Sequence, residues 1–338
     1  MTTSSNPHGL NNGSSEYGIE NNAVRCTWAG YLLFVLISSL VGDTTILIAS
    51  TKYKAFKLHR AMVVIIQHIA VCDLMVSVTT VVPLFVSVIV GKWVLGEFLC
   101  HLKIYTSSYS YTTSVLLVCN MTTSKLLLFK YPIRFGMISV KKAQLICVAC
   151  WAAALVTPAT FIYLVTSKDS NYHPYSSHHC DSLVMTNTRH WLRPALAVVF
   201  LFLPNCVVVA NTVNLLIIAK RVALRGWENL KWEGIITTIL IATVYCLSSL
   251  PAAVNNILGH GFSHAQVYSR IAVSCLFINT ISNFYIYCLS VKGFRDFIRS
   301  TLQQPYRFLS NIMTCSTRGK GIHSNKFDID KYQGTWIK

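Results

Sequence analysis

Charge is what this sequence has least of. Only 12% of its 338 residues are Asp, Glu, Lys or Arg, against about 25% in an average soluble domain. A chain that had to cover its surface in charge is therefore excluded. Acidic residues are scarcest, 12 against 29 Lys and Arg. No phosphate-binding loop, nucleophile elbow or His-Glu-x-x-His is present, so no enzyme class gains support. The Cys147/Cys150 spacing falls inside an apolar helix, where packing explains it. There are no internal repeats, which disfavours an inverted-repeat transporter. Met1–Asn22 lacks the basic start and apolar centre of a cleavable signal peptide, so the first helix is expected to act as its own insertion signal.

What is present is seven long apolar stretches, near Thr27–Ser50, Ala61–Val90, Phe98–Leu128, Ala143–Leu164, Trp191–Ala219, Gly234–Leu258 and Val267–Leu289. A helix rises about 1.5 Å per residue, so roughly 20 apolar residues cross the hydrocarbon of a bilayer. Unpaired backbone groups are too costly in lipid for any form but a helix or a closed barrel. These runs are too long and too continuously apolar for barrel strands. The fold class expected is an all-α membrane protein, a seven-transmembrane helix bundle. Its parts are an N-terminal tail (1–26), the bundle (27–290), a short amphipathic helix (291–304) and a C-terminal tail (305–338).

The net charge of +17 looks at first like a nucleic-acid signal. Placed on the spans it becomes a topology signal. The segments 51–60, 125–142, 220–233 and 292–338 hold 22 of the 29 Lys and Arg with only five acids, so this side alone carries +17. The positive-inside rule puts these segments in the cytoplasm and the N-terminus outside. The excess suits contact with anionic membrane lipids. No basic soluble domain is left to bind nucleic acid.

Asn12-Gly13-Ser14 is a glycosylation sequon on the expected outer side. Of the twelve cysteines, Cys26, Cys100 and Cys180 fall at the oxidising face. Cys100 and Cys180 are the best-placed pair for a disulfide. Cys315, in the basic tail, is a candidate for palmitoylation.

Landmarks along the spans then fall in order. Helix 1 has Gly42-Asp43 and helix 2 has Leu74 after Ala70-Val71-Cys72-Asp73. Trp93, Gly96 and Cys100 precede helix 3, which carries Ser114. Helix 4 has Trp151, helix 5 Pro204 and helix 6 Pro251. Helix 7 has Asn279, Asn283 and Tyr287, followed by Lys292-Gly293-Phe294-Arg295. Over about residues 27–302 this series resembles the rhodopsin-like (class A) G-protein-coupled receptors, and the last segment resembles their cytoplasmic eighth helix.

Polar side chains in a spanning helix normally face the bundle and find partners there. Asp73, Ser114, Asn279 and Asn283 resemble the family's sodium pocket, whose hard oxygen ligands suit a small cation. Asp43 adds a second carboxylate. Two neighbouring carboxylates repel, so one is expected to hold a proton or a cation to bridge them. A hydrogen-bonded polar core without an ion is the plainer reading.

The departures from the family pattern gather where such receptors switch. Ser124-Lys125-Leu126 stands in place of Asp-Arg-Tyr, and Lys125 keeps the charge without the planar guanidinium. Lys231 stands where many members have an acid that reaches toward helix 3. Helix 6 reads Ser248-Ser249-Leu250-Pro251 in place of Cys-Trp-x-Pro, and Phe284 replaces a proline in helix 7. Lys125, Lys231 and Tyr287 are the residues the resemblance assigns to coupling a heterotrimeric G protein.

The family binds ligands between the outer halves of helices 3, 5, 6 and 7. Lys103, Ser107, Ser108, Tyr111, Arg193 and Arg270 are the pocket candidates. Ser107 stands where amine receptors place an aspartate, so a monoamine would lack its counter-ion. Helix 7 has no lysine for a retinal Schiff base. The basic ring favours an anionic or lipid ligand; the same residues also serve as interfacial anchors. The function expected is a plasma-membrane receptor transducing an extracellular ligand signal to G proteins. A non-signalling scaffold or scavenger and, more remotely, a cation transporter or channel are the alternatives.

Overall fold

A computed structural model describes residues 22–51, 60–131, 139–159, 175–176, 179–180, 195, 198–224, 232–258, 265–301 and 303. Among them, seven helices are long and apolar enough to cross a membrane. α1 is Asn22–Thr51 and α2 is Arg60–Val90. α3 is Gly96–Lys130 and α4 is Val140–Ala159. α5 begins as a π-helical turn, Val198–Phe202, and continues as Leu203–Leu224. α6 is Trp232–Leu258 and α7 is Ala265–Ser290. After Ser290 the chain is helical again over 292–301, inside the range expected for the short eighth helix.

The seven expected spans are all present, with shifted ends. α1 starts at Asn22, one turn before the apolar run. Arg25 in that added turn lies against Gly91, the left-handed residue (φ +82°) that caps α2. The long arginine side chain thus fastens a turn that hydropathy alone leaves in the tail. The expected end of α4 at Leu164 lies outside the described residues. Helix is not the only structure: Tyr175–Ser176 and His179–Cys180 form a two-residue antiparallel ladder, β1 and β2, with Tyr175 opposite Cys180.

The packing closes into a bundle. α1 lies against α2 and α7, α2 against α3 and α4, and α6 along α7. α3 meets α2, α4, α5 and α6, which makes it the central helix. The sequence pattern explains the faces. On α1 the buried positions are Leu32, Val35, Ser39, Gly42, Asp43, Ile46 and Ala49, a repeat of three and four that marks one stripe. The opposite stripe exposes Leu33, Phe34, Ile37, Val41 and Ile48. Large apolar side chains outside and Ser and Asp inside invert the order of a soluble helix, as lipid solvent requires.

Two local irregularities set the height of the polar core. α2 contains a π-helical turn at Ser77–Val81, closed by Val82 N–H donating to the Ser77 carbonyl. Pro83, two residues beyond the turn, has no N–H for the Thr79 carbonyl, which favours a register change there. Ser77 and Thr79 hydroxyls donate back to the Asp73 and Met75 carbonyls at 3.0 and 2.7 Å, so the turn is well satisfied. On α1, Gly42 lets α7 approach closely. A Cβ built there would stand 2.7 Å from Phe284 Cβ.

That contact generates a prediction. Gly42→Ala forces α1 and α7 apart and lowers stability by about 1–3 kcal/mol, the usual range for overpacking. Thermal unfolding of the purified chain in detergent measures it. Phe284→Gly removes that Cβ, so adding Gly42→Ala to it costs less than adding Gly42→Ala to the wild-type chain. An unchanged melting temperature for Gly42→Ala would refute the close approach.

Candidate polar-core and ligand site

The buried charge sits where α1, α2 and α7 meet. Asp43 and Asp73 are each 1% exposed. Each carboxylate has a serine four residues away on its own helix, Ser39 before Asp43 and Ser77 after Asp73. That spacing puts each pair on one helix face. Ser39 Oγ donates to Asp43 Oδ2 at 2.6 Å, and Ser77 Oγ donates to Ser39 Oγ at 2.6 Å. α7 enters through Asn283, whose Nδ2 donates to Asp73 Oδ2 at 2.8 Å. Two side-chain groups thus lie side by side, Ser77–Ser39–Asp43 and Asn283–Asp73, and Ser77 Oγ also lies 3.0 Å from the Asp73 backbone carbonyl.

The network is short of donors and of positive charge. Asp43 Oδ1 and Asn283 Oδ1 are buried without a hydrogen-bond partner. Among the described residues no basic side chain pairs with either carboxylate. The idealised cost of moving one bare carboxylate into such a medium is about 20 kcal/mol. Two hydrogen bonds of about 1.5–3 kcal/mol each do not offset it. A carboxyl group buried in this way either takes up a proton or is neutralised by a cation. The site's acceptor atoms are hard oxygens, and two of them, Asp43 Oδ1 and Asn283 Oδ1, are buried without a partner, so the residue types present fit a small hard cation.

The expected constellation is brought together in part. Asp43, Asp73 and Asn283 join as described. Ser114 is buried with its hydroxyl unpartnered, and Asn279 is buried as well, but no hydrogen bond links either to Asp73. Ser39 and Ser77 went unread in the sequence. Their signal was the four-residue spacing to each aspartate, easily lost among the many serines of apolar spans.

Toward the end of the bundle that carries the disulfide, Cys100 at the start of α3 is bonded to Cys180 of β2, with Cα atoms 5.6 Å apart. Trp93, Cys100, Ile104 and Cys180 form a small core there. Trp93 Nε1 donates to the Gly96 carbonyl at 2.8 Å, and Lys103 Nζ lies 5.3 Å from the Trp93 ring centroid. The Lys103 charge is thus held over an aromatic face. Ser107 Oγ donates to the Lys103 carbonyl at 2.5 Å and lies 2.9 Å from Thr80 Oγ1, which ties α3 to α2. Ser108 and Arg270 are half-buried. Tyr111 reaches α6 and donates to the Ser249 carbonyl at 3.3 Å, while Ser249 Oγ donates to Asn205 Oδ1 of α5 at 3.1 Å. Ser249 fills a place where the family carries tryptophan, and a three-helix hydrogen-bond bridge stands there instead. Tyr245, one turn away on α6, is 1% exposed with its hydroxyl unpartnered.

At the opposite end Lys125 is buried on α3, its Nζ 5.9 Å from the Phe129 ring centroid. Asn211 of α5 donates to Thr123 Oγ1 at 2.8 Å, and Thr237 of α6 lies 2.8 Å from Ser290 of α7 through their hydroxyl oxygens. Tyr287 is buried, its ring 6.0 Å from Phe294 in an edge-on arrangement, and Phe284 makes the same contact at 6.0 Å. Asn12, Arg193, Lys231 and Cys315 lie outside the described residues.

A family profile described as 7 transmembrane receptor (rhodopsin family) matches residues 42–291. Among characterised proteins, cysteinyl leukotriene receptor 1 of Cavia porcellus is 27% identical over 143 residues, 41% of this chain and 37% of that receptor. Dopamine receptor 2 of Caenorhabditis elegans is 23% identical over 192 residues, 55% of this chain and 22% of that receptor. The 5-hydroxytryptamine receptor 1B of Canis lupus familiaris is 31% identical over 119 residues, 34% of this chain and 30% of that receptor. The match spans little more than a third of the length of the first of these and less of the others.

The serine relay is directly testable. Ser39→Ala removes the one donor to Asp43 Oδ2 and lowers stability by about 1–3 kcal/mol. Thr44→Ala, on the exposed side of α1, is the matched control and changes it by less than about 0.5 kcal/mol. Equal melting temperatures for the two variants would show that the hydroxyl does not support the carboxylate.

Proposed function

The chain belongs to the rhodopsin family of seven-transmembrane receptors, and on that premise we propose that it is a plasma-membrane receptor that couples to heterotrimeric G proteins. The family is one of receptors, not enzymes. The observation that carries the reading is the polar core: charge buried at the meeting of α1, α2 and α7, in a bundle whose two ends are joined through α3, α6 and α7. A ligand at the disulfide end acts by differential affinity for two packings of the bundle. Lys125, at the other end of α3, takes the place of the family's arginine and offers a charge to the G protein. Tyr287, packed on Phe294, holds the end of α7 that such a switch moves. The N-terminus lies outside and the C-terminal tail in the cytoplasm, as the 22 basic residues on one side support.

The ligand reading is an anionic or lipid molecule. The relatives' names point both to leukotriene and to amines. Ser107 speaks against an amine: its hydroxyl is engaged with Thr80 and the α3 backbone, and it brings no carboxylate to an ammonium. Lys103, Arg270 and Arg193 supply the opposite charge. In the polar core Asp73 and the Asn283 amide oxygen would hold a sodium ion, with the buried Ser114 and Asn279 as further candidates. When bound, it neutralises the buried carboxylate; Asn283 orients Asp73 by its hydrogen bond and ties α7 to α2.

The missing tryptophan in α6 and the lysine in place of arginine favour a second reading, a receptor-like scaffold that binds without coupling. One experiment separates them. The full chain is expressed at the cell surface with a panel of G proteins, and nucleotide exchange is followed with and without a library of anionic metabolites and lipids. Exchange above the vector control is expected, and Lys125→Ala lowers it at least tenfold at equal surface expression. Silence across the panel supports the scaffold; an unchanged response in Lys125→Ala removes that residue's role.

A further inference from the structure

The rest of the bundle covers little of α5. Across its span 18% of the residues are buried, against 50% of those of α3. Its inward face carries Asn211, whose Nδ2 donates to Thr123 Oγ1 at 2.8 Å. That is the usual fate of an amide in a spanning helix, turned to the bundle and paired there. Asn214, the next amide along, does the opposite. It is exposed, and the side chains around it on the outer face, Val213 and Ile217 among them, are exposed and apolar. Lys220 and Arg221 mark the end of the span. Asn214 precedes Lys220 by six residues, which places it about 9 Å inside that end at 1.5 Å per residue. Gln144 of α4 is exposed too, but it stands two residues from Lys142 at the edge of its span, within reach of headgroups and water.

The outer face of α5 also has a pattern. Leu203, Val207, Ala210, Asn214 and Ile217 follow one another at steps of four, three, four and three, and all five are exposed. These steps make the heptad seam along which two helices wind together, here with one polar residue on the seam. In coiled coils a single seam asparagine fixes register and the number of helices. Ala210, one turn from Asn214, is the smallest side chain of the seam and lets a second backbone come close. The amide is only half satisfied. One N–H of Asn214 Nδ2 donates to the Ala210 carbonyl at 3.0 Å, while the second N–H and Oδ1 have no partner among the described residues. Acyl chains supply neither a donor nor an acceptor.

We propose that this face of α5 is a dimer interface and that its partner is α5 of a second copy of the chain, packed in parallel about a two-fold axis along the membrane normal, with Asn214 meeting Asn214. An amide is charge-complementary to itself: its oxygen is the negative end of the group and its N–H the positive end. About a two-fold axis, the free N–H of each copy donates to Oδ1 of the other, so the groups left open on both copies are satisfied together. Two copies in one membrane share one orientation, which makes the pair parallel and sets Asn214 opposite itself at equal depth. Any other partner needs a polar group of its own at that depth; a second copy brings one by symmetry. The interface uses neither the ligand end of the bundle nor the polar core, so it stands or falls independently of the coupling reading.

The test uses the full chain reconstituted in liposomes. Donor- and acceptor-labelled copies are mixed, and energy transfer is followed as added lipid dilutes the protein; a monomeric membrane protein with the same labels gives the chance-proximity signal to subtract. The wild-type chain is expected to show a saturable signal that unlabelled copies compete away. Asn214→Leu keeps the face apolar and removes the amide; it is expected to weaken the dimer about tenfold, while Asn214→Gln, which keeps an amide, stays within about threefold of wild type. Single cysteines in a Cys206→Ser chain locate the contact. Val207→Cys and Ile217→Cys are expected to form disulfide-linked dimers under oxidant, and the comparably exposed Val209→Cys and Leu216→Cys, on the far edge of the face, are not. Asn214→Leu must melt within a few degrees of wild type in detergent. Should it not, Ala210→Leu, which leaves the amide and blocks the close approach, takes its place with the same expected loss. A wild-type chain that stays monomeric at every dilution overturns the proposal. So does undiminished dimerisation in the folded variant, or bridging at Val209 and Leu216 in place of Val207 and Ile217.

Discussion

The centre of this bundle is a pair of buried carboxyl groups that no described basic side chain answers. Two aspartates lie buried between α1, α2 and α7, and the described helices offer them hydroxyls and an amide but no ammonium or guanidinium. In an apolar medium such groups bind whatever polar side chains can reach them. That demand joins three helices that lipid-facing packing alone would leave free to slide. It also explains the local irregularities. The π-helical turn lets Ser77 serve both the α2 backbone and Ser39. Gly42 removes the one Cβ that would keep α7, and with it Asn283, from closing on α1.

The same economy of partners runs through the rest of the core. Ser249 stands in place of tryptophan and is held between Tyr111 and Asn205. Phe284 stands in place of proline and packs edge-on with Phe294 beside Tyr287. Lys125 stands in place of arginine and rests near Phe129. Each substitution keeps contact between helices and changes its kind. A hydrogen-bond bridge is directional, and an aromatic contact is broad.

Several side chains read from the sequence as ligand contacts have structural work in the bundle. Ser107 links α3 to α2 through Thr80, and Lys103 covers Trp93 beside the disulfide. These roles follow from helical spacing. A hydroxyl on a spanning helix reaches its own carbonyl four residues back or a neighbour at the same height before it reaches a central cavity. The identity of a residue showed that a polar contact was needed, but the partner depended on the rotation of α3, which hydropathy does not encode.

What the sequence determined by itself was the number of spans and the buried polar set. The number of spans follows because 20 or so apolar residues have one stable form in lipid. Asp73 and Asn283 were legible because a polar group in such a run must face inward, and their order along the chain matched a known pattern. The early start of α1 was not legible, because it depends on Arg25 meeting Gly91 across a gap of more than sixty residues. Nor was the role of Ser39 and Ser77, two serines among many in apolar runs. Only the tertiary structure decided that the Ser39–Ser77 hydrogen bond joins α1 beside Asp43 to α2 beside Asp73. Side chains on different helices become neighbours through packing angle and axial shift, and those are set by contacts such as Gly42 on Phe284 that no single stretch of sequence contains.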